Sequence, residues 1–402
     1  MKKKSSIMAI FAITFLMTAC TFAQNKKVEP VKAKDAKVIT PAKAAPVALA
    51  KAATPVAVTA PAKVAFKEPA LSNEDSWTMV VVPDVQAYTE RPRNHGILDI
   101  MNCWIVDNQE KLNIQQVLFT GDLVYRNDQN NITPTRQSLI AKEQWKGFSR
   151  LMERLDGRVP YVLCTGNHDY GATSAEGRNT WYNEFFPTDR NTLSRKQLVG
   201  CNRNAFGQAT LETAIYEFKA PAPDKRKFLI ITLQFAPTDK DLEWAKKIVN
   251  SPKYEKHIGI VLTHSYLDWE GKRIKAERYR LNKLGGNAGE GIFQKLVYPS
   301  KNIRLVVSGH IARPEKWEAG ISFSTDKNHL GKTVNQMAFN TQAIGGGWHG
   351  NGGDGWLRLL EFMPDKKTVK ATTFSPFFAI SPSTKHLAWK KSKLDEFTFI
   401  LE

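Results

Sequence analysis

From Trp77 onward the chain alternates short apolar runs, each ending in a few polar residues, with amphipathic stretches. Trp77-Thr78-Met79-Val80-Val81-Val82 runs into Pro83-Asp84-Val85-Gln86, and Gln116-Val117-Leu118-Phe119 runs into Thr120-Gly121-Asp122. Val159-Pro160-Tyr161-Val162-Leu163-Cys164 runs into Thr165-Gly166-Asn167-His168-Asp169. Runs of this length without apolar/polar alternation predict strands buried on both faces. Between the first two, Ile97, Ile100, Met101, Trp104 and Ile105 recur at spacings of three and four, which predicts a helix over 94–111. A second helix is predicted over 136–155. Residues 171–209 hold no clear period and are expected to form an elaborated loop. Further strands are predicted at 214–218, 228–233, 257–262 and 303–307, with helices at 238–249, capped by Thr238 or Asp239, and at 289–297. The strand at 257–262 delivers Thr263-His264-Ser265, and that at 303–307 delivers Ser308-Gly309-His310-Ile311-Ala312. The stretches 334–339, 356–362 and 368–374 alternate more and are expected to be antiparallel. Strand, polar tip and helix in repetition predict an α/β fold whose ligands gather at the carboxyl ends of the strands.

The first 72 residues are of another kind. A basic start, Met1-Lys2-Lys3-Lys4, precedes an apolar run over 7–17 that is too short to span a bilayer, so 1–23 is expected to be an export signal. Met17-Thr18-Ala19-Cys20 resembles a lipobox, whereas Thr21-Phe22-Ala23 suits ordinary signal cleavage; both endings stay open. Residues 24–72 are rich in Ala, Lys, Pro and Val, and such a tract buries too little apolar surface to offset its ordering entropy, so it is expected to be a flexible tether. Residues 73–402 form the predicted folded domain. Localisation follows as exported: periplasmic, anchored at a bacterial-type cell envelope, or secreted.

Charge changes this picture little. The formal net charge is +18, but twelve lysines against three carboxylates up to Glu68 supply half of it. The excess therefore reads as a solvated tail with some affinity for an acidic envelope, and no specific nucleic-acid binding is expected. Cys103, Cys164 and Cys201, left once Cys20 is set aside, lack CxxC spacing, which argues against a disulfide framework or a thiolate zinc site.

The tips together offer Asp84, Gln86, Asp122, Asn167, His168, Asp169, His264 and His310. Oxygen and imidazole donors without thiolate suit zinc, manganese or iron, and a carboxylate can bridge two cations. Such a pair would orient a water as hydroxide and bind phosphoryl oxygens, while a histidine could protonate the departing oxygen.

In these blocks, Asp84 with Gln86, Gly121-Asp122, Gly166-Asn167-His168-Asp169, His264 and Gly309-His310, the sequence resembles the calcineurin-like metallophosphoesterase superfamily. The resemblance implies a two-sheet α/β sandwich flanked by helices and a metal-dependent hydrolase of phosphomonoesters or phosphodiesters. It implies Asp122 as the bridging carboxylate, Asn167, His264 and His310 as further ligands of one metal, and Asp84 as a ligand of the other. It also implies His168 as general acid or phosphate-binding group, oriented by Asp169. Two departures concern the second metal: the family's first-block histidine is Gln86 here, and its final histidine is Ala312. One strong and one weaker metal site are therefore expected. Gln86 is a candidate replacement ligand, and so is Tyr125, at the position where purple acid phosphatases place a tyrosine on iron. The alternative is a domain of the same fold that binds metal or ligand with hydrolysis impaired.

Other features carry two readings each. The glycine-rich stretch 345–356, with Trp348 and His349, is a hairpin connection or a substrate border. Arg91 and Arg93 supply positive potential or are solvated, and His95 is an exposed loop residue or meets the phosphate. Trp181, Tyr182, Phe185 and Phe186 pack beneath the long loop or shape a leaving-group pocket.

Overall fold

The computed structural model describes residues 66–130 and 138–402, all within one compact unit, Ala60–Glu402. The expected export signal and residues 24–65 of the expected tether lie outside the described residues.

Fourteen strands form two mixed sheets among the described residues. The first contains β1 (Trp77–Val82), β2 (Ile114–Phe119), β3 (Tyr161–Leu163), β11 (Leu357–Phe362), β12 (Thr368–Phe374), β13 (Trp389–Lys390) and β14 (Phe397–Ile400). Its order is β13-β12-β11-β1-β2-β3, with β14 also paired to β12. The second contains β4 (Leu198–Arg203), β5 (Ala209–Lys219), β6 (Lys227–Thr232), β7 (Ile258–Leu262), β8 (Ile303–Ser308), β9 (Ile321–Lys327) and β10 (Thr333–Phe339), in the order β4-β5-β6-β7-β8-β10-β9. The predicted sandwich is observed.

Each sheet is buried twice, which is why its central strands are apolar throughout. Trp77, Met79 and Val81 of β1 enter a core shared with Phe228, Ile230, Ile260, Leu262, Leu305 and Val307 of the opposite sheet. Val80 and Val82 face outward onto the helices Pro92–Asp107 and Ala141–Met152. Val306 packs with the helix Asp239–Val249 and with Phe293 on the far side. Thr238 caps that helix as expected, its hydroxyl accepting from the Asp241 amide at 3.3 Å.

Several boundaries differ from the sequence reading. The stretch 171–209 holds short helices and the edge strand β4, whose half-exposed residues show no apolar period. The strand β10 was expected to be antiparallel, but it pairs parallel with β8 and antiparallel with β9. Its polar residues are buried with partners: Asn335 Nδ2 donates to the Ile400 carbonyl at 2.8 Å and Gln336 Oε1 accepts from the Tyr266 hydroxyl at 2.9 Å. These satisfied polar groups made an interior strand look half-solvated. Residues 66–72 lie against the first sheet rather than in a free tether; the Lys67 carbonyl accepts from Trp389 Nε1 at 2.7 Å and the Ser72 hydroxyl donates to Glu361 at 2.8 Å.

Trp77 sits where the sheets meet. Its indole stacks on Phe362 at 3.9 Å, meets Phe228 edge-on at 5.3 Å, and donates to Asp224 at 2.8 Å. Trp77→Ala is expected to cost about 3–5 kcal/mol through lost burial and a residual cavity, read as a lower midpoint in urea unfolding. An unchanged midpoint would contradict this packing.

Candidate metal centre

The strands that run parallel, β1, β2 and β3 in one sheet and β7 and β8 in the other, place their polar tips together at one edge of the sandwich. Close approach there demands glycine: a Cβ on Gly166 would run into the Asp122 carboxylate, and one on Gly309 into the carboxylate of Asp84 and the side chain of Thr120. Two of the delivered residues, Asp122 (φ 49°) and His310 (φ 73°), hold left-handed backbone. That conformation costs about 1–3 kcal/mol for each non-glycine residue and is maintained by the surrounding structure.

Donor atoms converge on His264 Nε2. Asn167 Oδ1 and His310 Nδ1 each lie 3.1 Å away, and Asp122 Oδ1 lies 3.3 Å away. The ligating atoms of Asp122, His264 and His310 fall within 4.8 Å of one another. These separations approach the roughly 3.4 Å between ligands set about 2.1 Å from one tetrahedral cation. The other ring nitrogens are already engaged. His264 Nδ1–H donates to the Thr120 carbonyl at 2.8 Å, and His310 Nε2–H donates to Glu277 at 3.0 Å. Such outer partners fix the tautomer that leaves the inner nitrogen free for a metal.

Without a cation the same cluster draws a proton onto His264 instead. Burial opposes charge on His264, yet the carboxylates of Asp122 and Asp84 outweigh it and push the imidazole up to about 10. Burial also pushes the Asp84 carboxyl up to about 7 against the pull of His264. Asp122 is held below the usual carboxylate range, because His264 and His168 together overcome its burial. The cluster is short of positive charge, which a cation at these four donors would supply.

The other predicted residues separate into distinct roles. His168 is half-buried, its Nδ1–H donates to the Tyr125 carbonyl at 2.6 Å, and its ring stacks on Tyr125 at 5.2 Å. Its outer nitrogen is thus free of that bond. Tyr125 helps to seat His168 through both contacts. Asp169 does not orient His168, contrary to the sequence expectation. Its carboxylate accepts from the amides of Leu123 at 2.8 Å, Val124 at 3.1 Å and Gly166 at 2.7 Å, because the adjacent Asp122 loop turns its backbone donors toward it. Asp169 therefore pins one tip to the next. Asp84 is fully buried and accepts from Asn340 Nδ2 at 2.7 Å, Gln342 Nε2 at 3.1 Å and the Thr120 hydroxyl at 3.1 Å. Gln86 Nε2 donates to Asp122 Oδ2 at 3.0 Å and also contacts Gln342 Oε1, so its amide nitrogen, not a ligating carbonyl, faces the carboxylate.

Sequence reading missed Glu277, Asn340 and Gln342. Asn340 and Gln342 follow the end of β10, so the strand-end rule reaches them once that strand is known to run parallel to β8. Glu277 lies among basic residues in a loop without periodicity and carried no signal.

Of the flanking features, His349 Nδ1 accepts from the Arg91 guanidinium at 3.1 Å, and Arg93 donates to the His349 carbonyl at 2.8 Å, so the glycine-rich stretch folds onto the start of the first long helix. Arg91 is buried and paired with Glu90 at 3.2 Å, neither solvated nor unpaired. His95 lies on that helix with Nε2 3.3 Å from the Thr89 carbonyl, not in an exposed loop. Tyr182, Phe185 and Phe186 pack with Trp145 and Phe148 as core.

A family model described as calcineurin-like phosphoesterase matches residues 79–314. Uncharacterized protein YvnB of Bacillus subtilis (strain 168) is 29% identical over 306 residues, covering 76% of this chain and 20% of its own length. The chain thus spans about a fifth of the curated relative it matches. Among solved structures, a purple acid phosphatase from yellow lupin (Lupinus luteus) seeds is similar with TM-score 0.44 and 14% identity, over 82% of this chain and 55% of that one. A dimetal phosphatase from Danio rerio is similar with TM-score 0.43 and 11% identity, over 81% of this chain and 99% of that one.

Removing the Glu277 carboxylate leaves His310 Nε2–H without its acceptor and frees the imidazole to turn. Glu277→Ala is expected to weaken manganese binding roughly 10–100-fold, with Glu277→Gln restoring part of it. Titration calorimetry checks this, and equal affinity in all three proteins would contradict the assigned support.

Proposed function

The chain belongs to the calcineurin-like phosphoesterase family, and from that premise we propose that it is an exported, metal-dependent phosphohydrolase acting on a phosphomonoester or phosphodiester. The observation that carries the reading is the convergence of Asp122 Oδ1, Asn167 Oδ1 and His310 Nδ1 on His264 Nε2 within 3.3 Å. Manganese, zinc or iron suits this mixture of imidazole and oxygen donors. When bound, such a cation supplies Lewis acidity, which lowers the pKa of water and draws charge from the phosphoryl oxygens.

The chain's own residues supply the rest. His168 keeps its outer nitrogen clear of the bond that Nδ1 makes to the Tyr125 carbonyl, and its ring rests against the Tyr125 ring. In the imidazolium form it donates one proton to the departing ester oxygen, or a hydrogen bond to the phosphoryl group. Asp169 maintains the spacing between the Asp122 and His168 tips through its three amide bonds. Export rests on the basic start and apolar run of 1–23; a lipidated Cys20 would tether the protein to the envelope, whereas cleavage after Ala23 would release it.

The purified chain, loaded with manganese, zinc or iron, is expected to cleave members of a panel of phosphomonoesters and phosphodiesters, and to lose this activity to a chelator. Stoichiometrically loaded protein that cleaves neither class overturns catalysis and leaves a binding domain of the same fold. Asp122→Asn is expected to abolish turnover, since the neutral side chain holds the cation poorly; full turnover would show that Asp122 is misassigned. His168→Ala is expected to lower kcat about 10²–10⁴-fold with metal content unchanged, and lost metal in that variant would make His168 structural.

A further inference from the structure

The family pattern provides for a second cation between the first-block carboxylate, Asp84, and the bridging carboxylate, Asp122. A chain of side-chain amides connects these two groups here. Gln86 Nε2 donates to Asp122 Oδ2 at 3.0 Å and contacts Gln342 Oε1. Gln342 Nε2 in turn donates to Asp84 Oδ2 at 3.1 Å, and Asn340 Nδ2 donates to the same oxygen at 2.7 Å. The Gln342 backbone N–H donates to Asn340 Oδ1 at 3.0 Å, which fixes the Asn340 side-chain amide beside Gln342. Asp84 Oδ1 is taken by the Thr120 hydroxyl at 3.1 Å and faces the His310 N–H at 3.3 Å.

The carboxylates at the two ends set the direction of this chain. A carbonyl oxygen turned toward either would be repelled, so each amide presents N–H, and Gln86 Oε1 is left buried without a hydrogen-bond donor. Leaving an acceptor in that state costs about 1–3 kcal/mol, a loss the two charge-assisted contacts offset. All four residues, Asp84, Gln86, Asn340 and Gln342, are almost wholly buried. The two imidazoles that the family would place here are Gln86 and Ala312 in this chain. These residues do not fit a second cation: the carboxylate oxygens it would need already face neutral N–H donors.

Resting on the phosphoesterase reading above, we propose that this is a one-metal centre in which the Gln86-Gln342-Asn340 amides occupy the place and part of the electrostatic role of the second cation. The expected weaker second site is thereby replaced by none, and Gln86 becomes a positioning residue that holds Asp122 Oδ2 while Oδ1 lies 3.3 Å from His264 Nε2, among the donors that would hold the one cation.

The full chain, loaded with excess Mn²⁺ and freed of loose metal by gel filtration, is analysed for manganese by atomic absorption and electron paramagnetic resonance. The expected result is about one manganese per chain with the six-line signal of an isolated ion. Two per chain with an exchange-coupled signal overturns the proposal and leaves the phosphoesterase reading standing. No retained manganese overturns the cation site itself, and the proposal with it. The double variant Gln86→His, Ala312→His is expected to gain a second manganese and a coupled signal. If it folds, as its circular dichroism reports, and still holds one, then Gln86 and the missing imidazoles are not what excludes the second cation and the proposal fails.

Discussion

Two carboxylates buried side by side are the condition the rest of this molecule answers. Asp84 and Asp122 leave neighbouring parallel strands at the same edge, and neither retains meaningful contact with water. A buried anion without compensation is costly enough to unfold a domain of ordinary stability or to take up a proton. Each oxygen is accordingly met. His264 faces both carboxylates, the His168 amide donates to Asp122 at 3.0 Å, and the Asn340 and Gln342 amides donate to Asp84. Glycines at the neighbouring tips and left-handed backbone at Asp122 and His310 are what permit these groups to come so close.

The sandwich makes that edge rigid. Asp122 and Asn167 come from one sheet and His264 and His310 from the other, so the donor cluster exists only while the two sheets keep their registration. The shared core around Trp77, Phe228 and Phe362 provides it. Closely packed interiors transmit small shifts instead of absorbing them. Core substitutions far from the donors therefore bear on the geometry of the donor cluster as well as on stability.

The two halves of the centre are built from different chemistry. On one side, imidazole nitrogens and an asparagine carbonyl face inward, with the imidazoles' other N–H groups given to the Thr120 carbonyl and Glu277. On the other, amide N–H groups face inward and meet the same carboxylate pair. Lone pairs call for a cation, and N–H groups supply partial positive charge themselves. One carboxylate, Asp122, meets both.

Much of this was legible in the sequence because burial on both faces leaves a simple mark. Apolar runs such as Trp77–Val82 and Ile303–Ser308 cannot be surface elements, and the polar residues at their ends must converge where parallel strands stop. Asp84, Asp122, Asn167, His168, His264 and His310 were found in this way. The sequence also registered that Gln86 and Ala312 stand where imidazoles are expected. It could not show what replaced them. Asn340 and Gln342 act only because β10 lies parallel to β8, a pairing hidden by buried polar residues that satisfy one another. The same limit applied to Asp169, whose neighbour along the chain is His168 but whose partners in space are the amides of Leu123, Val124 and Gly166. Strand identity is a local property of hydrophobic pattern, whereas the partner of a buried polar group is set by the three-dimensional packing that closes around it.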